Sequence, residues 1–161
     1  MGITILGILV GVGVPAFSDI IRNNRTAAQA NELITALNVA RSEATKLGMP
    51  VGICAADASH ESCAGTDTAD WKFGWLIFSD RTGDHGQLDD DDVLLQTSTA
   101  AGEGILLTSN DIGFARFGAD GALLSPPITF NVRHTHCSGR NLRKIGVVAS
   151  GRASLSKETC P

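Results

Sequence analysis

The chain has 161 residues, of which 43% are apolar and 19% are charged, and its formal net charge is −4. This length suits one domain, and this composition supplies enough apolar side chains for a core, which excludes a disordered chain. The charge is uneven, because residues 1–130 contain 7 Lys or Arg against 16 Asp or Glu, whereas residues 131–161 contain 6 against 1. The carboxyl-terminal tail is therefore locally basic on an acidic body.

The first stretch, residues 2–18, contains no charged residue and runs into a helical pattern without a turn signal. As a helix it would be about 25 Å long, slightly short of a hydrocarbon core of ~30 Å. Its glycines and Pro15 would destabilise a helix in water, but membrane helices tolerate them. From Ile20 to Leu47 the apolar residues mostly recur at steps of three and four, which predicts an amphipathic helix. We therefore predict one helix over residues 1–47, with a membrane part at 1–18; a long amphipathic helix in a soluble protein is the alternative.

Three short motifs stand out in this helix: Val-Pro-Ala-Phe-Ser at Val14–Ser18, Asn-Glu-Leu at Asn31–Leu33, and Ala-Arg-Ser-Glu-Ala at Ala40–Ala44. They resemble the amino-terminal helix of type IV pilins, most closely that of the FimT/GspH group of minor pilins and pseudopilins. That family begins with a prepilin-peptidase site, Gly followed by Phe-Thr-Leu-Ile-Glu, which this sequence lacks, so we expect an amino-terminal truncation. The resemblance implies that the start of the helix contacts lipid and neighbouring pilins. The candidate contact residues are Ile5, Ile8, Leu9, Val12, Pro15 and Phe17.

Four cysteines follow the helix, and in an extracytoplasmic protein an even number is expected to be paired. Of the three possible connectivities we predict the local one, Cys54 with Cys63 and Cys137 with Cys160. Closing loops of these lengths should stabilise the fold by about 3 kcal/mol each. A metal site formed by Cys54, Cys63, His60 and Cys137 is the alternative, but the sequence lacks the paired CxxC ligands of zinc modules.

After Gly48-Met49-Pro50 the pattern changes to short apolar runs separated by Gly, Asp and Pro, which predicts a β-rich region. The predicted strands are Val51–Ala55, Lys72–Ser79, Val93–Thr97, Gly104–Thr108, Gly113–Phe117, Ile128–Arg133, Leu142–Ala149 and Arg152–Ser156. Short strands at this spacing are typical of antiparallel sheets rather than βαβ units. We expect an α+β fold in which residues 48–161 form a globular head, with one sheet packed on the helix face between Ile20 and Leu47.

Two aromatic segments extend the resemblance into the second half of the chain. Trp71–Asp80 contains a Trp, a Gly-Trp and a Phe-x-Asp in the order found in the FimT/GspH group, and Phe114–Gly121 is similar to that group's strand and glycine turn. We predict that these aromatic residues fill the core, although Trp71 alone is also considered as a ligand platform. The resemblance implies a pilin fold whose head packs on the outside of a filament.

The acidic and histidine-rich segments do not fit a metal or catalytic motif. Asp80–Asp92 is rich in carboxylates, but the Gly and Glu positions of an EF-hand loop hold His85 and Asp91, which favours a solvated loop. His134 and His136 would share one face of a strand. No carboxylate lies near them in sequence, and no serine or Cys–His arrangement for nucleophilic catalysis can be assembled. We therefore predict no metal, no cofactor and no enzymatic activity.

The basic tail contains candidates for binding DNA phosphates without reading the base sequence. They are Arg140, Arg143, Lys144 and Arg152. In the FimT branch, the resemblance implies binding of incoming DNA during natural transformation through a Gly-Arg-x-Arg motif. The matching place here reads Gly151-Arg152-Ala153-Ser154, so the second arginine is absent. The alternative is that these cations only solvate a strand and a disulfide loop.

Taken together, the sequence predicts a FimT-like minor type IV pilin. Such a protein sits in the bacterial inner membrane as a single-pass protein with a periplasmic head and then enters a pilus. The expected partners are the major and other minor pilins and the inner membrane, with DNA as a further candidate. A GspH-like minor pseudopilin of the type II secretion system is the alternative, and the sequence does not distinguish the two assemblies.

Overall fold

The computed structural model describes residues 2–82 and 84–161, and within them the side chains from Ser18 onward. In these residues one helix, α1 (Gly2–Leu47), precedes eight strands. They are β1 (Val51–Ala55), β2 (Trp75–Ser79), β3 (Val93–Thr97), β4 (Ile105–Ser109), β5 (Phe114–Phe117), β6 (Ile128–His134), β7 (Leu142–Val147) and β8 (Ala153–Glu158). The helix ends at Leu47 as predicted, because Gly48 has a left-handed φ of 66° and its N–H donates to the Ala44 carbonyl at 3.0 Å.

The described strands form two antiparallel sheets, with strand orders β3-β2-β1-β5 and β4-β6-β7-β8. Helix α1 contacts both sheets, whereas the sequence predicted that one sheet would pack on it. The buried positions of α1 explain the difference, because they form a wide stripe with several small residues. These positions are Ala30, Leu33, Ala36, Leu37, Ala40 and Ala44. Small side chains let two sheets approach the same helix closely.

The core between α1 and the sheets contains the aromatic residues that the sequence assigned to it. Trp71 and Phe130 meet edge to face with ring centroids 4.9 Å apart, a favourable geometry for aromatic pairs. The indole Nε1 of Trp71 donates to Ser109 Oγ at 3.2 Å. Since Trp71 is fully buried, it is a core residue and not a ligand platform.

Both disulfides have the predicted local pairing, Cys54 with Cys63 and Cys137 with Cys160. The first closes the loop that follows β1, and the second ties the segment after β6 to the end of the chain. All four cysteines are disulfide-bonded, so those of the alternative metal site have no thiolate that could bind a metal ion.

Two predicted strands were too long at one end, and a turn explains each difference. β2 begins at Trp75 rather than Lys72, because residues 71–74 form a turn. Gly74 has a φ of 86°, and its N–H donates to the Trp71 carbonyl at 3.0 Å. β7 ends at Val147 rather than Ala149, because the chain turns there into β8. β8 ends two residues later than predicted, at Glu158 rather than Ser156, and the other predicted strand ends agree with the structure to within one residue.

The predicted membrane part, residues 1–18, lies almost entirely outside the described side chains. The same holds for the predicted contact residues Ile5, Ile8, Leu9, Val12, Pro15 and Phe17. Within the part of the chain that the structure describes, no helix is long and apolar enough to cross a membrane.

Candidate functional site

Helix α1 changes character where it enters the head. Its first described apolar side chains, Ile20 and Ile21, are 55% and 50% exposed. The first buried side chain follows at Thr26, and buried positions then continue to Ala44. Ile21 lines the recess described below, whereas Ile20 does not, so the exposed side chain of Ile20 is free to contact lipid or another protein.

A second apolar surface lies at the edge of the first sheet. β3 pairs with β2 on one side only, and each of its five residues is exposed. Its first three residues, Val93, Leu94 and Leu95, are apolar. An exposed apolar edge strand offers unpaired backbone groups to a neighbouring chain.

A recess of about 420 Å³ lies where α1 enters the head, between the helix and the segment that follows β6. We call it the basic recess. Its lining comprises Ser18, Ile21, Arg22 and Arg25 from α1, and Glu103, Gly104, His134, Thr135 and His136 from the head. The two imidazole rings have their centroids 5.8 Å apart. His134 Nδ1 accepts the N–H of His136 at 3.1 Å, so the proton of a neutral His134 ring belongs on Nε2.

The electrostatics of the basic recess are dominated by its arginines. Burial lowers the pKa of His134, and electrostatic repulsion from Arg22, His136 and Arg25 lowers it further. His134 is therefore neutral at pH 7, and the arginines supply the positive charge. Two carboxylates oppose them: Glu103 lies in the lining, and Asp19 Oδ1 lies 3.3 Å from Arg22 Nη1 at the exposed helix surface.

The four residues predicted to bind DNA do not share one surface. Arg143 points into the protein and is 3% exposed, and its Nη2 donates to Asn23 Oδ1 at 2.6 Å. Its neighbour Lys144 is exposed on the opposite face of the second sheet. Arg140 and Arg152 are exposed at the two ends of the β7–β8 hairpin. Arg143 is therefore a structural residue, and only the other three are accessible to a ligand.

The acidic segment Asp80–Asp92 is not wholly a solvated loop, because Asp80 is completely buried. Its carboxylate lies 2.9 Å from Arg116 Nε in an ion pair and accepts the Gly86 N–H at 2.9 Å. His85 Nδ1 lies 3.2 Å from the same carboxylate. Among the described residues, no group of three or more His, Cys, Asp or Glu is placed to hold a metal ion.

Sequence reasoning did not find the basic recess, because its parts come from opposite ends of the chain. The available signals were separate: Arg22 and Arg25 are three residues apart on a helix, and His134 and His136 alternate at the end of a strand. Only the packing of α1 against β6 brings the two pairs together.

Comparison with known proteins agrees with this architecture. A family model described as "Type II transport protein GspH" matches residues 29–151. The type IV minor pilin FimU of Pseudomonas aeruginosa has a similar structure, with a TM-score of 0.64 and 21% identity over 83% of this chain and 89% of FimU. The minor pseudopilin EpsH from the Type 2 Secretion System of Vibrio cholerae is similar with a TM-score of 0.55 and 14% identity, over 83% of this chain and 97% of EpsH. No curated protein sequence matches the chain significantly.

These comparisons confirm two predictions made from the sequence. At such low identities the two solved structures show the fold alone, and that fold is the predicted pilin fold. The family model covers most of the chain, from the middle of α1 to the turn before β8. The chain belongs to the GspH family, which comprises minor pilins and pseudopilins of the kind that FimU and EpsH represent.

Proposed function

We propose that this protein is a minor subunit of a type IV pilus, anchored in the inner membrane by α1 with its β-rich head in the periplasm until assembly. The supporting observation is the exposure of Ile20 on α1 where the helix enters the head. Burying the exposed half of an isoleucine side chain gains roughly 1 kcal/mol. A bilayer before assembly, and the helices of neighbouring pilins afterwards, would provide that burial.

In this proposal the work of the protein is mechanical and associative. The first half of α1 would pack among the helices of other pilins, and the head would face outward. The exposed edge of β3 would then be available to the head of a neighbouring subunit. FimU, a minor pilin of similar fold, supports this assignment.

Cysteine cross-linking in the producing bacterium tests the proposal. The four native cysteines are all disulfide-bonded, so a single introduced thiol is the reactive one. With Ile20→Cys in this chain and matching cysteines in the major pilin helix, we expect cross-linked heterodimers in pili sheared from cells. Leu124→Cys is the matched control, because Leu124 is similarly exposed at 52% but lies on the head. Absence of the protein from sheared pili, with no Ile20→Cys cross-link, would contradict the proposal.

The second candidate is a minor pseudopilin of the type II secretion system. The description of the matching family model and the similarity to EpsH favour it. Deleting the gene separates the two candidates: loss of surface pili identifies the pilus subunit, and loss of extracellular enzymes with intact pili identifies the pseudopilin.

We infer that the basic tail binds DNA through three of the four predicted residues. Arg143 is left out because it is buried. Arg140, Lys144 and Arg152 follow the length of the β7–β8 hairpin, and at about 3.3 Å per residue they are spaced by roughly 13 Å. Each could therefore contact a different phosphate of one strand. The acidic body of the chain would keep this binding weak and sensitive to salt.

A gel-shift titration tests the DNA-binding role. Three phosphate contacts predict that the logarithm of the affinity falls against the logarithm of salt concentration with a slope of about −2.7. Changing Arg140, Lys144 and Arg152 together to Gln should abolish the shift, whereas Arg81→Gln, an exposed arginine on the acidic segment, should leave it unchanged. No shift at low salt, or an unchanged shift in the triple variant, would exclude the role.

A further inference from the structure

The acidic segment Asp80–Asp92 and the basic recess lie at opposite ends of the part of α1 that packs on the head. At the end of the helix, the Asp80 N–H donates to the Pro50 carbonyl at 3.0 Å, which places the acidic segment Asp80–Asp92 at that end. At the entry of the helix into the head lie Arg143, bonded to Asn23, and the basic recess. Asn23 and Leu47 are about 36 Å apart along the helix at 1.5 Å per residue. The cations of the basic recess are therefore well separated from the main acidic cluster.

The basic recess also has a fixed position relative to the uncharged start of the chain. Residues 2–18 carry no charge, and Arg22 and Arg25 follow within the next two helical turns. When residues 2–18 lie in a bilayer, the two arginines emerge at the level of the lipid headgroups. His134 and His136 face them from the head across the recess.

We propose that the basic recess binds the phosphate of an anionic phospholipid and so holds the underside of the head on the bilayer before assembly. This inference rests on the proposed function, because it requires α1 to be inserted in the membrane. Guanidinium groups suit the ligand, since their paired donors match phosphate oxygens. His134 and His136 form part of the opposite wall.

The charges around the basic recess favour a single phosphate ester over a large polyanion. The recess is bounded by α1 on one side and by the head on the other, and Glu103 lies in its lining. Asp19 also lies beside Arg22. These carboxylates would repel the neighbouring phosphates of a DNA backbone. A single headgroup phosphate could still contact the two arginines and the imidazoles. This site is therefore distinct from the β7–β8 hairpin proposed for DNA.

Electron spin resonance of spin-labelled lipids tests the inference on the full chain. The chain is reconstituted into phosphatidylcholine bilayers that contain a trace of either spin-labelled phosphatidylglycerol or spin-labelled phosphatidylcholine. We expect the motionally restricted fraction to be larger for phosphatidylglycerol. Each juxtamembrane arginine should contribute a preference of about fivefold, so Arg22→Gln combined with Arg25→Gln should remove most of it.

Three comparisons make the experiment decisive. The matched control is Lys144→Gln combined with Arg152→Gln, which removes the same charge elsewhere on the head and should keep the preference. The double variant Arg22→Lys, Arg25→Lys should retain much of the preference for phosphatidylglycerol. Circular dichroism verifies that this variant and the Arg22→Gln, Arg25→Gln variant are folded. Inorganic phosphate added at constant ionic strength should compete no better than chloride; if it alone abolishes the preference, the site binds small phosphates and the lipid assignment is wrong.

The outcomes also separate this inference from the proposed function. A restricted component of equal size for both lipids means that α1 is in the bilayer but the basic recess does not bind the headgroup, which overturns the inference alone. Absence of any restricted component means that the chain is not inserted, which overturns the proposed membrane anchor as well.

Discussion

The guanidinium of Arg143 and the side-chain amide of Asn23 lie 2.6 Å apart, although 120 residues separate them in sequence. The bond joins the second sheet to α1 at the point where the helix enters the head. A second, longer bond of 3.5 Å runs from Arg143 Nη1 to the Arg140 carbonyl. Because Arg143 is buried, the Asn23 oxygen is its main compensation for lost hydration.

This pair predicts an asymmetry between two variants. Asn23→Ala should lower the free energy of unfolding by about 1–3 kcal/mol, because it leaves a buried donor without its acceptor. Adding Arg143→Met should recover part of that loss, because the unpaired charge is then gone. Urea unfolding followed by the fluorescence of the two buried tryptophans measures both. A double variant less stable than Asn23→Ala would contradict the prediction.

The buried carboxylate of Asp80 predicts a larger effect. Arg116→Met removes its ion-pair partner at 2.9 Å and should cost about 3 kcal/mol, since the buried carboxylate then keeps only the Gly86 N–H and His85 as partners. Arg116→Met with Asp80→Asn should be more stable than Arg116→Met alone. Thermal unfolding of the three proteins tests this, with the exposed Arg81→Gln as a control for the loss of one positive charge. Equal melting temperatures for wild type and Arg116→Met would refute it.

Asp57 predicts a change in acid stability. Its carboxylate accepts hydrogen bonds from Ser59 Oγ at 2.8 Å and Ser62 Oγ at 2.9 Å, and these bonds lower the pKa of Asp57 from 3.8 to about 2. The folded state therefore releases the proton more readily than the unfolded chain. The contribution to stability is complete above pH 3.8 and is lost as the pH falls through about 2.

We accordingly expect the melting temperature of the wild type to fall more steeply below pH 3.8 than that of Asp57→Asn. The variant should be the less stable protein at neutral pH, with the difference shrinking on acidification. Calorimetric scans across that range measure the two profiles. Parallel profiles would show that Asp57 makes no pH-dependent contribution.

Substitution of Gly151, which lies where the sequence resembles a DNA-binding motif, is expected to destabilise the fold strongly. It has a φ of 73°, and a Cβ at this position would meet the Gly121 carbonyl oxygen at 2.0 Å. Gly139 has a similar φ of 61° but open space around it. Gly139→Ala should therefore lower the free energy of unfolding by about 1 kcal/mol, because of the backbone conformation alone. Gly151→Ala should lower it by clearly more. Chemical unfolding compares them, and equal losses would mean that the contact with Gly121 is unimportant.

Local signals in the sequence were enough for most of the secondary structure. Gly48-Met49-Pro50 marks the end of α1, and glycine turns separate the strands. The inward orientation of Arg143 also had a signal that went unused, since Ile145 and Val147 alternate with it on the buried face of β7. Arg143 was predicted to be exposed because it is charged. The alternation of buried and exposed positions along the strand was the better guide.

The basic recess and the use of both sheets could not be read from local patterns. The recess depends on the distance between α1 and the end of β6, which is set by core packing. Similarly, the helical stripe indicates that α1 is buried but not how many sheets cover it. The alanines at its centre, such as Ala36 and Ala40, made room for the second sheet.

Helix α1 is both the proposed anchor and a wall of the hydrophobic core, and between Ser18 and Leu47 it contains neither Gly nor Pro. A filament under tension would pull on the amino-terminal half of this helix. Without a flexible joint in between, the load would pass directly into the packing of Leu33 and Leu37 against the two sheets. The mechanical strength of the subunit and the thermodynamic stability of its head would then be the same property.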